Sequence, residues 1–272
     1  MAARLNRAAV LAIAGRDLRN IARSRAVLVP LLVVPALLLL TPPLTLVIAN
    51  AAPESLAAEL APLFTRLPAD LSDRLPSEPS HRAVVLLLVY VFAPLFLVVP
   101  LLVASMTAAD AVVGERQRRT LEGLLHTPTT NHELLLGKVL TPWAMAVVMA
   151  VLGAVAYGAV ANTVLAQYGQ PASFPNPVWV VLVVWVSPAA AAFGVGLVVV
   201  LSARIKTFQE ANQVAGFVVL PIVGLVVAQA AGVLLFDGVA LGLLGGALWL
   251  LTLLLLRVAG HNFRRDRLLI RD

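Results

Sequence analysis

Glu115-Arg116-Gln117-Arg118-Arg119-Thr120-Leu121-Glu122-Gly123-Leu124-Leu125-His126-Thr127-Pro128, running on through Thr130 and Glu133 to Gly137-Lys138, is a charged island in a chain that is otherwise nearly continuous hydrocarbon. At helical pitch Thr120, Leu121, Leu124 and Leu125 share one side, and Glu115, Arg118, Arg119, Glu122 and His126 share the other. Glu115 and Arg119 stand four apart, as do Arg118 and Glu122, so each pair can close along the helix surface. Pro128 stops that helix and turns Thr127 away from helical geometry. Thr130, with Glu133 three residues on, has the form of a capping box and opens a second helix. The stretch predicts a short amphipathic helix lying across the direction of the flanking apolar runs. It reads either as a solvated connection between two spans or as a handle on which something outside a membrane can push.

The rest of the chain sets the solvent. Of 272 residues 60% are hydrophobic and only 12% charged, with a mean hydropathy of +0.93. Several apolar runs reach the length of a bilayer crossing, and no polar block is long enough for a second domain. The net charge is +6 and the pI near 10.7. The basic residues sit beside apolar runs without interleaved aromatics, so anionic headgroups are the expected counter-charge and nucleic acid is not an expected partner. The absence of cysteine excludes disulfides, thiolate metal sites and cysteine catalysis.

Upstream, residues 1–25 carry Arg4, Arg7, Arg16, Arg19, Arg23 and Arg25. Arg16, Arg19, Asn20 and Arg23 fall on one helical side, with Val10, Leu11, Ala14, Leu18 and Ile21 opposite. This predicts a basic amphipathic helix in the headgroup plane, starting after Arg7. The first span is expected over Ala26–Ala49, kinked or broken by Pro30, Pro35, Pro42 and Pro43. Residues 50–82 are polar, with one amphipathic helix carrying Leu56, Leu60, Leu63, Phe64 and Leu67 on the membrane surface. The second span is expected over Ala83–Thr107.

Downstream, spans are expected at Val139–Val164, Val178–Leu201, Val214–Phe236 and Val239–Val258. Trp143, Trp179 and Trp249 near span ends read as interfacial anchors. Asp237-Gly238 leaves only a turn between the last two spans. Either both cross the bilayer, or the region near Gln229–Asp237 is re-entrant. Six crossings would gather 17 of the 20 Lys and Arg on one side with both termini, leaving Arg66, Arg74 and Arg82 on the other. The expected architecture is therefore an all-α membrane protein and a single transmembrane domain over 1–272. Residues 1–25 form an interfacial helix, 26–258 the six spans and 259–272 a cytoplasmic tail.

No Walker A, no Gly-x-Ser-x-Gly and no paired histidine motif is present, so no catalytic residues and no metal site are expected on this chain. No charge falls at the middle of an expected span, which disfavours an ion-coupled carrier.

Glu115-Arg116-x-Arg118-x-Thr120-Leu121-Glu122-x-Leu124-Leu125-x-x-Pro128, followed by Glu133-Leu134-Leu135-Leu136-Gly137-Lys138, resembles the signature of bacterial type-2 ABC transporter permeases. Ser202-x-Arg204-x-Lys206-Thr207-x-Gln209-Glu210-Ala211-x-Gln213 ahead of Pro221 is similar to a second conserved stretch of that family. The ending Phe263-Arg264-Arg265-x-Arg267-Leu268-Leu269 agrees. Arg119 departs from the pattern, where the family usually has glycine. The resemblance implies a permease subunit of an exporter, paired with a second permease as a homodimer or heterodimer, in the plasma membrane of a bacterium or archaeon. It implies a separate ATP-binding subunit holding ATP and magnesium, so that this chain carries no cofactor and is not itself an enzyme.

It further implies that the segment between spans two and three is the coupling helix. Glu115, Arg116, Arg118, Thr120, Leu121, Glu122, Leu124, Leu125 and Pro128 would then meet the ATPase. Gln209, Glu210, Asn212 and Gln213 would form an inner gate or a contact between subunits, unless they merely cap a helix. The cargo expected from a path walled by Val, Leu and Ala is apolar or amphipathic, with sodium as a further candidate. The alternatives from other classes are a channel or secondary carrier that needs no ATPase, and a ligand-sensing membrane scaffold.

Overall fold

The computed structural model describes residues 6–23, 25–48, 53–65, 67, 69–73, 75–117, 130–202, 205, 207–217, 219–230 and 238–262. All regular structure among the described residues is helical. Five helical stretches are long and apolar enough to cross a membrane: Leu28–Leu46, Pro79–Gly114, Glu133–Gln167, Pro177–Leu201 and Gly238–Ala259. The chain is an all-α, multi-pass membrane protein.

The second stretch is the centre. It is 78% buried, against 22% for the first and 17% for the last, so the other spans pack around it. Its helices are α5 (Pro79–Leu86), α6 (Ala93–Phe96) and α7 (Val98–Ala109). Wide π turns occupy Leu87–Val91 and Asp110–Gly114. The first of these sits just ahead of Pro94, which has no N–H to give back to the preceding turn. The chain widens there, and Phe92 N donates to Leu87 O at 3.1 Å. The carbonyls of Leu88 and Val89 are served by neighbouring spans. Tyr157 Oη donates to Leu88 O and Trp179 Nε1 to Val89 O, both at 2.7 Å. Inside hydrocarbon this is how a span keeps a proline without an orphaned backbone group. Tyr157→Phe is expected to lower stability by ~1–3 kcal/mol, because it strands the buried Leu88 carbonyl. A thermal melt of the detergent-solubilised protein reads this, and an unchanged midpoint would refute it.

The third span is α9 (Asn131–Gln167), 37 residues long and opened by the expected capping box, with both Thr130–Glu133 bonds formed. It ends in a turn at Gly169 (φ +66°), where Gly169 N reaches Ala166 O and Gln170 N reaches Leu165 O. The fourth span is α10 (Pro177–Val181) and α11 (Ser187–Leu201), joined by a π turn at Leu182–Val186. Pro188 again follows the wide turn, and the Ser187 hydroxyl donates to Leu182 O at 2.9 Å. Trp179 is a correction. It is buried, stacked on Tyr157 at 4.8 Å and edge-on to Phe96 and Phe174, so it belongs to the core and not to an interfacial belt. Trp143 is half-buried and donates to Pro188 O on α11 at 3.0 Å.

The first span, α2 (Arg25–Ile48), is also corrected. Its four prolines neither end it nor split it. Pro35 and Pro43 sit on its packed stripe with Leu31, Leu39 and Leu46. Low-polarity surroundings offer the backbone no better partner than the helix itself. The polar segment forms α3 (Pro53–Phe64) and α4 (Ala69–Ser72), and α3 rests on α5. Leu63 is buried there, so the apolar stripe meets protein as well as any membrane.

The expected fifth span is divided into α12 (Phe208–Phe217) and α13 (Leu220–Ala230). Pro221 cannot donate to Phe217 O, and Val219 N turns back to Gly216 O at 3.1 Å. The rest of that expected span and the link at 231–237 lie outside the described residues. The last long helix is α14 (Gly238–Asn262), packed against α11.

Candidate functional site

The charged island divides at its stems. Arg118, Arg119, Thr120, Leu121, Glu122, Leu124, Leu125 and Pro128 lie outside the described residues, as does the side chain of Arg116. What the structure describes is the mount on which that segment sits. One stem is α8 (Glu115–Gln117), continuous with the second span through the π turn at Asp110–Gly114. The other stem is the first three turns of α9.

A buried ionic cluster ties these stems together. Lys138 is 0% exposed, Asp17 2% and Glu115 5%. Lys138 Nζ donates to Glu115 Oε2 at 2.6 Å across 23 residues of chain. Asp17 Oδ2 lies 2.9 Å from the same ammonium. That second contact is an ion pair poorly aligned for a hydrogen bond, and Asp17 Oδ1 has no hydrogen-bond partner among the described residues. Burial lifts the Asp17 carboxyl above the ordinary carboxylate range, the Lys138 charge pulls it back, and the Glu115 charge adds to the rise. Removing water from these charges is costly, so the cluster holds only while its members remain together.

The third member comes from α1 (Arg7–Arg23), which lies along the start of α9. Its packed stripe is Val10, Ile13, Asp17 and Ile21. The expected apolar side thus divides: Val10 and Ile21 are packed on protein, while Leu11 and Leu18 are exposed and Ala14 is half-buried. The helix also begins at Arg7 and not after it. Asn6 caps it, accepting from Ala8 N at 3.1 Å and Ala9 N at 3.3 Å. The Asn6 N–H in turn donates to Glu133 Oε1 at 2.7 Å, while Thr130 N donates to Glu133 Oε2 at 2.8 Å. One carboxylate thus closes the N-termini of two helices. The Thr141 hydroxyl donates to Ala14 O at 3.2 Å. Gly137 gives the close approach its room: a Cβ there would stand 2.7 Å from Ile13 Cγ2.

Sequence reading found Glu115, Glu133 and Lys138 but missed the role of Asp17. The signal was present. Asp17 is the only acid in residues 1–25, and it falls four residues from both Ile13 and Ile21 on one apolar stripe. The second group of candidates lies on α12, which packs against α7 and the π turn at Asp110–Gly114. Gln209, Glu210 and Gln213 are exposed near the start of α12, and the side chain of Asn212 is not described. Thr207 Oγ1 accepts from Glu210 N at 3.2 Å, so the stretch does cap a helix. Among the described residues no group of three or more His, Asp or Glu could hold a metal ion. The chemistry of the cluster is ionic.

Multi-pass helical membrane proteins with a buried ionic cluster joining their helices include transport permeases. The chain belongs to the ABC-2 family of transporter proteins, whose model matches residues 11–256. It is accordingly a permease subunit of an ABC transporter. Permeases of this family generally work with an ATP-binding subunit and form dimers. No curated protein matches the chain.

Proposed function

We propose that this permease is driven by a separate ATP-binding cassette subunit, and that the segment 118–129 is where the two chains meet. The observation that supports it is the Glu115–Lys138 bond at 2.6 Å with Asp17 beside it. A segment whose two stems are bonded to each other moves as one body. A push on it is therefore delivered to the second and third spans together. Leu121, Leu124, Leu125 and Thr120 supply an apolar ridge for a groove on the ATPase, and Arg116, Arg118 and Glu122 set its register by charge, with Pro128 ending the helix. Glu115 faces the mount.

On this reading ATP and magnesium stay on the partner, and this chain performs no catalysis. Transport is outward, of an apolar or amphipathic cargo or of sodium, across the plasma membrane of a bacterium or archaeon. Both termini and the mount face the cytoplasm, a reading supported by the distribution of basic residues over six crossings. The pair α12 and α13 makes a sixth crossing in two pieces. Gln209, Glu210, Asn212 and Gln213 stand at its entrance, where a second permease copy can reach them.

Leu125→Asp is the cleanest test, because Glu115→Ala would also break the buried cluster. The permease and the ATP-binding subunit encoded nearest to it are co-purified and reconstituted in liposomes. The substitution is expected to lower co-purification and permease-stimulated ATP hydrolysis at least tenfold, while leaving the melting midpoint of the permease alone unchanged. Wild-type stimulation in the variant would remove the docking assignment. Transport with no ATPase present would replace it with a channel or carrier.

A further inference from the structure

Docking of α1 through Asp17 has a second effect, on the opposite edge of that helix. The only acidic side chain of residues 1–25 is turned inward and faces Lys138. Arg16, Arg19 and Arg23 follow one another at intervals of three and four, so they line one edge over about two turns. Arg19 and Arg23 are exposed and Arg16 is half-buried. None of the three has a hydrogen bond or salt bridge to a described residue; the Arg16 charge acts on Asp17 beside it, and Arg19 and Arg23 have no such acidic neighbour on their own helix. About a third of the way round the helix, Leu11 and Leu18 stand seven residues apart and are 63% and 46% exposed. The helix therefore presents three strips: one seated on α9, one cationic and one apolar.

That arrangement fits one partner chemistry. The apolar strip needs hydrocarbon, and the cationic strip beside it needs anions held at a fixed depth. A guanidinium pairs with a phosphodiester through two parallel N–H donors, which an ammonium cannot match. We infer that the Arg16–Arg19–Arg23 edge of α1 is a binding site for the headgroups of anionic phospholipids, with Leu11 and Leu18 set among their acyl chains. The site selects lipid charge and does not depend on which machine drives the permease. Because α1 is pinned to Glu133 and Lys138, lipid held on this edge also holds α1 against α9.

The full-length protein is reconstituted in nanodiscs of equal parts phosphatidylglycerol and phosphatidylcholine. The lipid that survives stepwise detergent washing is then counted by native mass spectrometry. The wild type is expected to retain the anionic lipid with an enrichment on the order of tenfold, decreasing as salt is raised. The triple variant Arg16→Gln, Arg19→Gln, Arg23→Gln is expected to lose most of that enrichment, and the exposed double variant Arg19→Gln, Arg23→Gln, which leaves the Arg16 charge beside Asp17, to lose more than half of it without a change in melting midpoint in neutral detergent. The triple lysine variant keeps charge and should retain an intermediate enrichment. Equal retention of both lipids by the wild type would overturn the inference. So would unchanged enrichment in the glutamine variant, which would place the anionic lipid elsewhere on the chain. Identical loss in the lysine and glutamine variants would overturn the charge argument.

Discussion

Lys138→Ala is expected to destabilise the protein by ~3–5 kcal/mol, the cost of leaving buried carboxylates without their cation. Two acids converge on one ammonium that has no contact with water. Removing the ammonium leaves Asp17 and Glu115 facing each other in a site closed to solvent. The expected readout is a melting midpoint several degrees lower in mild detergent, with less protein recovered from the membrane. A second variant separates charge from packing. Lys138→Met with Asp17→Leu and Glu115→Leu removes the ions together and should recover much of the loss, since apolar groups of similar volume can replace a buried ionic cluster. A Lys138→Ala midpoint equal to that of the wild type would mean the cluster contributes nothing to stability. Failure of the apolar triple to exceed Lys138→Ala would mean the loss comes from geometry alone.

Gly137→Leu is expected to unseat α1 while leaving the centre of the protein intact. The space above Gly137 is occupied by Ile13 Cγ2 and Cβ, at 2.7 and 2.9 Å from where a new Cβ would stand. Those atoms lie next to the α1 backbone, so a rotamer change cannot clear them and the helix must move away. Overpacking of this kind costs about 1–3 kcal/mol. It would also strain the Asn6–Glu133 and Asp17–Lys138 contacts, which are spaced along the same helix. Hydrogen exchange is the appropriate measurement. Amides of α1 should lose protection by at least tenfold while those of α7 and α11 stay as they were. Equal protection of α1 in variant and wild type would show that the Gly137 contact is not what seats it.

Much of this architecture was legible because composition and length decide it. Runs of Val, Leu and Ala as long as a bilayer is thick leave no soluble alternative, and Thr130 with Glu133 announced a helix start that the structure contains. What could not be read depended on the neighbour. Pro30, Pro35, Pro42 and Pro43 predicted a kinked or broken span, but α2 is one continuous helix through all four. Pro94 and Pro188 mark a disturbed helix, but not that the chain widens into a π turn ahead of each. Those turns exist because Tyr157 and Trp179 lie across from the Leu88 and Val89 carbonyls, and because Ser187 can reach Leu182 O. The same two donors explain why Trp179 is central when its position near a span end suggested a surface role. The mount was half legible: Glu115 and Lys138 were visible as charges at the ends of the island, but nothing in their spacing said that they touch. Asp17 was hidden by the arginines around it, which drew the leader toward a purely basic reading.

The length of α9 has one more consequence. At ~1.5 Å per residue its 37 residues make a rod of about 55 Å, where the hydrocarbon layer is about 30 Å deep. For an upright crossing some 25 Å of that length is surplus to the oily layer, and α1 is lashed to the first turns of the rod at Glu133, Gly137, Lys138 and Thr141. A rod so supported is a tiller: tilting it by about 5° swings its tip by about 2 Å, and α1 must swing with it. Since α1 runs almost directly into α2, steering applied at one helix end turns up in a different crossing.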